Sequence, residues 1–459
     1  MNGRIRVMSI ARTRRRPRHP SAVLIAAGLA SLLAPVSLWG QSAATAKAPV
    51  AEQGAASAAP DTDYAPPPAP PARIPGNGFV MPDLSDTAKN YTSYDGRWFS
   101  TAFSVVPLVD YNAFVQDSGS RTQVGEQEDE WDLRTLRLMA RGQLKFAHPV
   151  DYLISLEVKG QDHVQEGSSK FGFTDVEFST LVGKLGRLKY GKIKEPFVYE
   201  MVGDAANLQQ QERALNPFFV SRGLGLRLMN TFAGDSMSWS VGWFNDWWAQ
   251  DQDFRHSGND FAARLTGVPY FVDEGASYVH LGVGVRHVGG DEGTVRFKGR
   301  PESNVTSDYV DSGKLQADHA NELSVESLWG LGPVLFSGEY ARAWVDGPRY
   351  GDPSFWGGSV VLSYVLTGEH RPYDKVVGYA RRILPQRQIG AFELVTRYSH
   401  VDVDDALVHG GMFDRGTIGI NWWATRRWKV GFDYGLIGLN RDGLYGHTHA
   451  FHTRFQWVY

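Results

Sequence analysis

The last nine residues, 451–459, read Phe-His-Thr-Arg-Phe-Gln-Trp-Val-Tyr and constrain the whole chain. Side chains alternate sides along an extended strand. Phe451, Phe455, Trp457 and Tyr459 therefore share one face with Thr453, and His452, Arg454 and Gln456 share the other. A chain that ends on such a strand leaves an open apolar edge, which invites aggregation. Pairing the last strand with the first closes the sheet and removes that edge. Taken alone, the segment also fits the edge of a soluble sandwich.

The rest of the sequence chooses between these readings. After Trp39 no apolar run is long enough to form a membrane helix, and short runs of period-2 alternation take its place. They fall at 99–115, 133–146, 150–162, 174–182, 187–193, 224–232, 237–244, 260–267, 278–288, 321–329, 334–345, 355–366, 391–401, 417–423, 428–436 and 450–459. A further run at 294–300 is assigned to a loop, because single-chain bacterial barrels carry an even number of strands. Short connections (147–149, 183–185, 233–236, 330–332, 424–427) alternate with long ones (194–223, 245–259, 289–320, 346–354, 402–416, 437–449). The connection 367–390 is long but lies on the short-turn side. The predicted fold is all-β: a transmembrane antiparallel β-barrel of 16 strands, with short periplasmic turns and long outer loops, some folded into the lumen. Glycine at 50 positions suits turns and tight walls, while Trp 14 and Tyr 19 suit the two membrane interfaces. With no cysteine, disulfides, thiol catalysis and cysteine metal sites are excluded.

Residues 1–46 read as a secretory signal peptide. The stretch opens with seven arginines and no acid, continues with an apolar run from Ala22 to Trp39, and ends in small residues including Ala44-Thr45-Ala46. Either Met1 or Met8 serves as the start. Removing this segment takes the formal charge from −3 to −10. Residues 47–94 are expected to be an Ala/Pro-rich periplasmic linker, largely disordered, and 95–459 the barrel.

Several motifs then resemble one family. The most specific is Leu366-Thr367-Gly368-Glu369-His370-Arg371-Pro372-Tyr373. Others are Gly191-Lys192-Ile193-Lys194-Glu195-Pro196-Phe197, Glu212-Arg213-Ala214-Leu215, Arg300-Pro301-Glu302-Ser303 and Gly419-Ile420-Asn421-Trp422-Trp423. From about residue 95 to the end the chain resembles the phosphate- and polyphosphate-selective outer-membrane porins of the O/P type. The resemblance implies a sixteen-stranded homotrimeric channel whose third and fifth outer loops, here 194–223 and 289–320, narrow the pore. It also implies a periplasmic connection folded inward, here 367–390, where the length anomaly already stood.

A diffusion channel needs a polar bore with rings of one charge sign where it narrows, and arginine suits phosphate through its planar two-pronged fork. With the apolar face outward, Arg137, Arg141, Arg264, Arg286, Arg397 and Arg454 point inward, together with Arg187, Lys189, Arg227 and Lys429. Arg213 and Arg222 occupy the third loop, and Arg296, Lys298 and Arg300 form a basic ladder in the fifth. Arg371 and Lys375 lie in 367–390 beside Arg381, Arg382 and Arg387. The expected anion-binding pore lining is therefore Arg137, Arg141, Arg213, Arg222, Arg264, Arg286, Arg296, Lys298, Arg300, Arg371, Lys375, Arg397 and Arg454. Arg296 and Arg300 should matter more for anion preference than Arg426 and Arg427 in a short turn. The same register also sends Asp151, Glu157, Asp175, Glu177, Glu322, Glu326, Glu339, Glu393 and Asp433 inward, so a mixed, weakly selective or sugar-passing bore stays open.

The expected partners are the lipid bilayer with its lipopolysaccharide, small inorganic anions, and the barrel-assembly machinery reading the C-terminal strand. No nucleic acid, cofactor, metal or catalytic residue is expected. His447, His449 and His452 lack the partners of a metal site, and Gly282-Val283-Gly284 sits in a strand, not before a helix. A barrel enzyme such as a phospholipase would need a Ser/His/acid arrangement, and none has recognisable spacing. A plugged structural barrel is the remaining rival.

Overall fold

The computed structural model describes residues 93–158, 172–245, 259–290 and 292–459. The expected signal segment 1–46 and most of the linker lie outside the described residues. Among those described, sixteen long strands make one antiparallel sheet. They are β1 Phe99–Gln116, β2 Glu130–Leu144, β3 Val150–Glu157, β4 Gly172–Leu181, β5 Arg187–Ile193, β6 Gly223–Phe232, β7 Met237–Asn245 and β8 Asn259–Val272. The chain continues with β9 Ser277–Gly289, β10 His319–Leu331, β11 Val334–Asp346, β12 Ser354–Val365, β13 Ala391–Asp405, β14 Val408–Trp423, β15 Trp428–Arg441 and β16 Leu444–Trp457. Each strand pairs with the next, and β16 returns to β1 with Gln456 opposite Leu108 and Thr448 opposite Gln116. Val105 and Tyr459 exchange backbone hydrogen bonds at 3.1 and 3.0 Å. The terminal tyrosine thus closes the cylinder, and the edge predicted from the last nine residues is gone. No helix among the described residues is long and apolar enough to cross a membrane; the strands cross it.

A short strip, Ser93–Asp95, pairs with Ser100–Ala102 of β1 and is tied by an ion pair from Asp95 to Lys145. The sheet therefore starts two residues before the expected barrel boundary. The run at 294–300 is confirmed as loop, but it is built as a hairpin: Thr294–Val295 pairs with Leu315–Gln316, and Lys298–Gly299 with Val310–Asp311.

Two expected outer loops are absent. The connections 402–416 and 437–449 shrink to the turns at Ala406-Leu407 and Asp442-Gly443, and the remaining residues prolong β13 to β16. Asp442 and Gly443 both have positive φ, 52° and 79°, the turn that Asp-Gly favours between strands. Outward residues here, such as His400, Asp402, Asp404, His409 and Asp414, are polar, so the stretch reads as loop. The inward residues Val401, Val403, Phe413, Ile437 and Leu439 are buried and keep the strand pattern.

Outward side chains form the lipid-facing band, with Phe103, Leu265, Val285, Val360, Ile418 and Phe432 exposed. Inward faces are of two kinds. Toward the outer end they are apolar: Ala341, Ala343, Phe355, Val401 and Phe413 pack on Phe197, Leu215, Phe218 and Phe297 from the infolded loops. Elsewhere they are charged. The polar bore expected from the sequence is thus lined with hydrocarbon wherever a loop must be seated against it.

The outer end also carries helix α1, Ser118–Val124, whose N-cap Asp117 accepts the Ser120 N–H at 2.7 Å and the His447 N–H of β16 at 2.9 Å. The Ser120 N–H, above all, holds the Asp117 carboxyl below the usual carboxylate range. Its contribution is present above about pH 4 and is lost as pH falls through that depressed value. Asp117→Ala should lower stability by about 1 kcal/mol, read as a lower urea midpoint in detergent at pH 7. The difference from wild type should vanish at the acid end.

Candidate pore constriction

Three connections enter the lumen: 194–222, 292–318 and 366–390. The first leaves β5 and forms a one-turn helix α2, Tyr199–Val202. Glu339 of β11 caps it from the wall, accepting the Tyr199 N–H at 2.6 Å and the Glu200 N–H at 3.2 Å. A carboxylate at a helix N-terminus satisfies free N–H groups and faces the positive end of the dipole. Glu200 in turn accepts the Ala214 and Leu215 N–H groups at 2.8 and 3.2 Å, which folds the loop back on itself. At Gly284 of β9 an added Cβ would lie 2.7 Å from the Phe197 carbonyl, so glycine is what lets the loop touch the wall there.

The periplasmic connection is fastened from several sides. Arg371 binds Glu393 of β13 through two N–H groups at 2.7 and 2.8 Å and donates to the Asn207 carbonyl at 2.8 Å. Arg264 of β8 donates to the Val377 and Gly378 carbonyls at 2.6 and 2.7 Å while pairing with Glu326. His280 of β9 bridges Tyr373 and Glu326 at 2.5 and 2.8 Å. The Tyr379 ring lies 4.8 Å from that of Tyr199, so the two infolded segments touch.

Most of the residues expected to bind anions meet a carboxylate. Arg137 pairs with Glu157 at 3.0 Å, Arg222 with Asp175 at 3.1 Å, and Arg286 with Glu195, Asp260 and Glu322 at 2.6, 2.7 and 3.3 Å. Arg397 pairs with Glu302, and Arg454 with Asp110 and Glu212 at 2.6 and 2.7 Å. The ladder Arg296, Lys298 and Arg300 does point one way, but it faces Asp311 and Asp308 across its own hairpin, with Arg296 and Lys298 exposed. Arg141 sits half-buried on β2. Lys375 lies with its ammonium 3.8 Å from the centre of the Phe271 ring.

Arg213 differs: it donates to the Glu200 and Gly203 carbonyls at 2.6 and 3.4 Å, with no carboxylate among its hydrogen bonds. Arg227 of β6, inward as expected, donates to Ser240 Oγ at 2.6 Å and the Lys194 carbonyl at 3.4 Å. Lys194 Nζ donates to the same Gly203 carbonyl at 2.7 Å and to Asp204 at 2.9 Å. Lys194 and Arg213 therefore meet at the Gly203 carbonyl and Arg227 reaches the start of the same loop, with Asp204 the one carboxylate among their hydrogen bonds. Asp204 opens to the lumen, its side chain 55 % exposed, and the Lys194 ammonium holds it well below the usual carboxylate range. Burial, opposed by Asp204, pushes Lys194 down to about 8. An anion entering here would supply the charge that the protein leaves out.

Two arginines escaped the sequence reading. Arg134 sits where the pairing of β1 and β2 slips between Leu108 and Val109, a bulge that turns it inward to Glu212 at 2.6 Å. Arg415, 1 % exposed, lies on the part of β14 expected to be loop and donates to the Glu302 carbonyl at 3.1 Å. Alternation carried through that loop would have placed Arg415 inward; no sequence signal marks the bulge.

A closed sixteen-stranded barrel narrowed by infolded, basic connections defines an outer-membrane porin. The chain belongs to the phosphate-selective porin O and P family, whose model matches residues 109–459. It is a porin of the bacterial outer membrane. OmpT of Vibrio cholerae has the same fold at 10 % identity, covering 80 % of this chain and all of that one with a TM-score of 0.50. An anion-selective porin from Comamonas acidovorans aligns at 12 % identity over 78 % of this chain and all of that one, with a TM-score of 0.49. An uncharacterized protein of Caulobacter vibrioides is 32 % identical over 90 residues, 18 % of this chain and 18 % of that protein.

Proposed function

We propose that Lys194, Arg213 and Arg227 form the point where a hydrated oxyanion, phosphate or polyphosphate, exchanges part of its water shell for N–H donors. What supports this is the charge balance at Gly203, where Lys194 and Arg213 meet on one carbonyl with Asp204 their one hydrogen-bonded carboxylate, and Arg227 reaches the same loop at the Lys194 carbonyl without a carboxylate of its own by hydrogen bond. Most of the other expected pore-lining residues, paired with acids, keep the bore polar and lead anions to and from this point. Binding stays weak because Asp204 shares the site, and conduction needs a site that an ion can leave. The protein works as a passive channel without catalysis. It sits among lipid and lipopolysaccharide as a homotrimer, inserted by the barrel-assembly machinery through β16.

A weakly selective general porin is the second reading, favoured by the many inward carboxylates. Purified protein in planar bilayers under a potassium chloride gradient separates the two. The reversal potential should move toward that of chloride, and inorganic phosphate should block the chloride current. Reversal near zero, with no block, would leave the general porin.

A further inference from the structure

Beside this constriction lies a chamber of about 30 Å³ between α2 and the inner faces of β11 and β12, enough for about two water-sized groups. Gln210 lines it, is only 2 % exposed, and meets no protein partner through either amide atom. Arg397 lines it too, and its Nε is likewise buried and unpartnered. Ser337 Oγ reaches only Gln209 Oε1, at a long 3.5 Å. Glu200, Glu339 and Tyr199 also line it, the two carboxylates already accepting backbone N–H groups.

This set offers donors and acceptors side by side. A bare anion would satisfy Gln210 Nε2 and Arg397 Nε but face two carboxylates. A cation would meet the carboxylates but face Arg397 and Arg371. Hydroxyl groups donate and accept at once, and a carboxamide answers both functions of a neighbouring pair of them. Leaving such groups buried and unmatched is unfavourable, so the chamber selects a ligand that matches both.

We propose that the chamber is a subsite for the adjacent hydroxyls of a small polyol, either free or as the alcohol end of a phosphate monoester. The ester form rests on the anion reading above, and Glu200 borders both places: it lines the chamber while its carbonyl accepts from Arg213 at 2.6 Å. The pore then favours phosphate monoesters of three-carbon polyols over inorganic phosphate.

The test measures block of the chloride current in planar bilayers by inorganic phosphate, by glycerol 3-phosphate and by glycerol alone. For wild type the half-blocking concentration of glycerol 3-phosphate should be about tenfold below that of inorganic phosphate, the effect of one or two hydrogen bonds. In Gln210→Leu that ratio should fall to about one. Glycerol slowing the current by itself identifies the free polyol as sufficient; glycerol without effect identifies the ester. Should Gln210→Leu not assemble, Ser337→Ala makes the same comparison with a smaller fall in the ratio. Equal block by the two phosphates in wild type overturns the chamber proposal and leaves the anion channel standing. Block by neither phosphate overturns the anion reading itself.

Discussion

Arg454→Ala should yield a barrel that refolds poorly and melts early, the largest single-residue loss of stability expected in this chain. Arg454 is 2 % exposed and crosses the closing seam, binding Asp110 of β1 through two N–H groups at 2.7 and 2.6 Å. It also holds Glu212, so the seam and the constriction loop meet on one guanidinium. Alanine would leave Asp110 without its bidentate partner and Glu212 with Arg134 alone. Removing one partner of a buried pair costs about 3–5 kcal/mol, because the remaining charge stays buried. Arg454→Lys restores the charge but not the fork and should recover part of the loss. Arg296→Ala is the contrast: its pair with Asp311 is exposed, where such bridges contribute about 1 kcal/mol or less. The measurement is the urea midpoint of the folded, heat-modifiable band in detergent. Equal midpoints for Arg454→Ala and Arg296→Ala would remove the seam from the account.

The barrel was legible because strand alternation is a local property repeated sixteen times. Period-2 runs such as 187–193 agree with the structure to the residue, and others differ only where a strand leaves the lipid. There the outward residues His400, Asp402 and Asp414 stop being apolar while the inward ones do not, so hydropathy read over both faces hides the strand. The constriction was legible by location but not by charge balance. Sequence places Arg286 inward, but Glu195 from a loop 91 residues away decides that it is matched. The basic ladder at 294–300 looked strongest because its counter-charges, Asp308 and Asp311, lie on the returning half of the same hairpin. Conversely Lys194, quoted only within a motif, gains its place from carbonyls exposed where α2 ends at Gly203. The Tyr379 ring fills the space a Cβ at Gly203 would need, and that contact between two distant connections has no local signal.

Neutralising Arg213 and Arg227 together, as Arg213→Gln with Arg227→Gln, should lower the anion-to-cation permeability ratio by about tenfold, about 1.4 kcal/mol. A unit charge about 5 Å from an ion contributes roughly 3 kcal/mol at an effective dielectric of about 20, and salt in the bore screens part of that. Neutralising Arg296 with Arg300 should change the ratio less, since Asp308 and Asp311 already offset them. Lys194 adds a pH signature. Burial pushes it down to about 8 from an ordinary 10.5, so the charge an anion needs is present below about pH 8 and lost above it. Chloride conductance should therefore fall between pH 7 and 9, and Lys194→Arg, which stays charged, should flatten that fall. Unfolding cannot mimic the result: between 8 and 10.5 the unfolded chain binds the extra proton, so this group's term in stability rises with pH across that window. A wild-type conductance that holds level from pH 7 to 9, with an unchanged reversal potential in the double variant, would move the selective point away from Gly203 and onto the matched arginines of the wall.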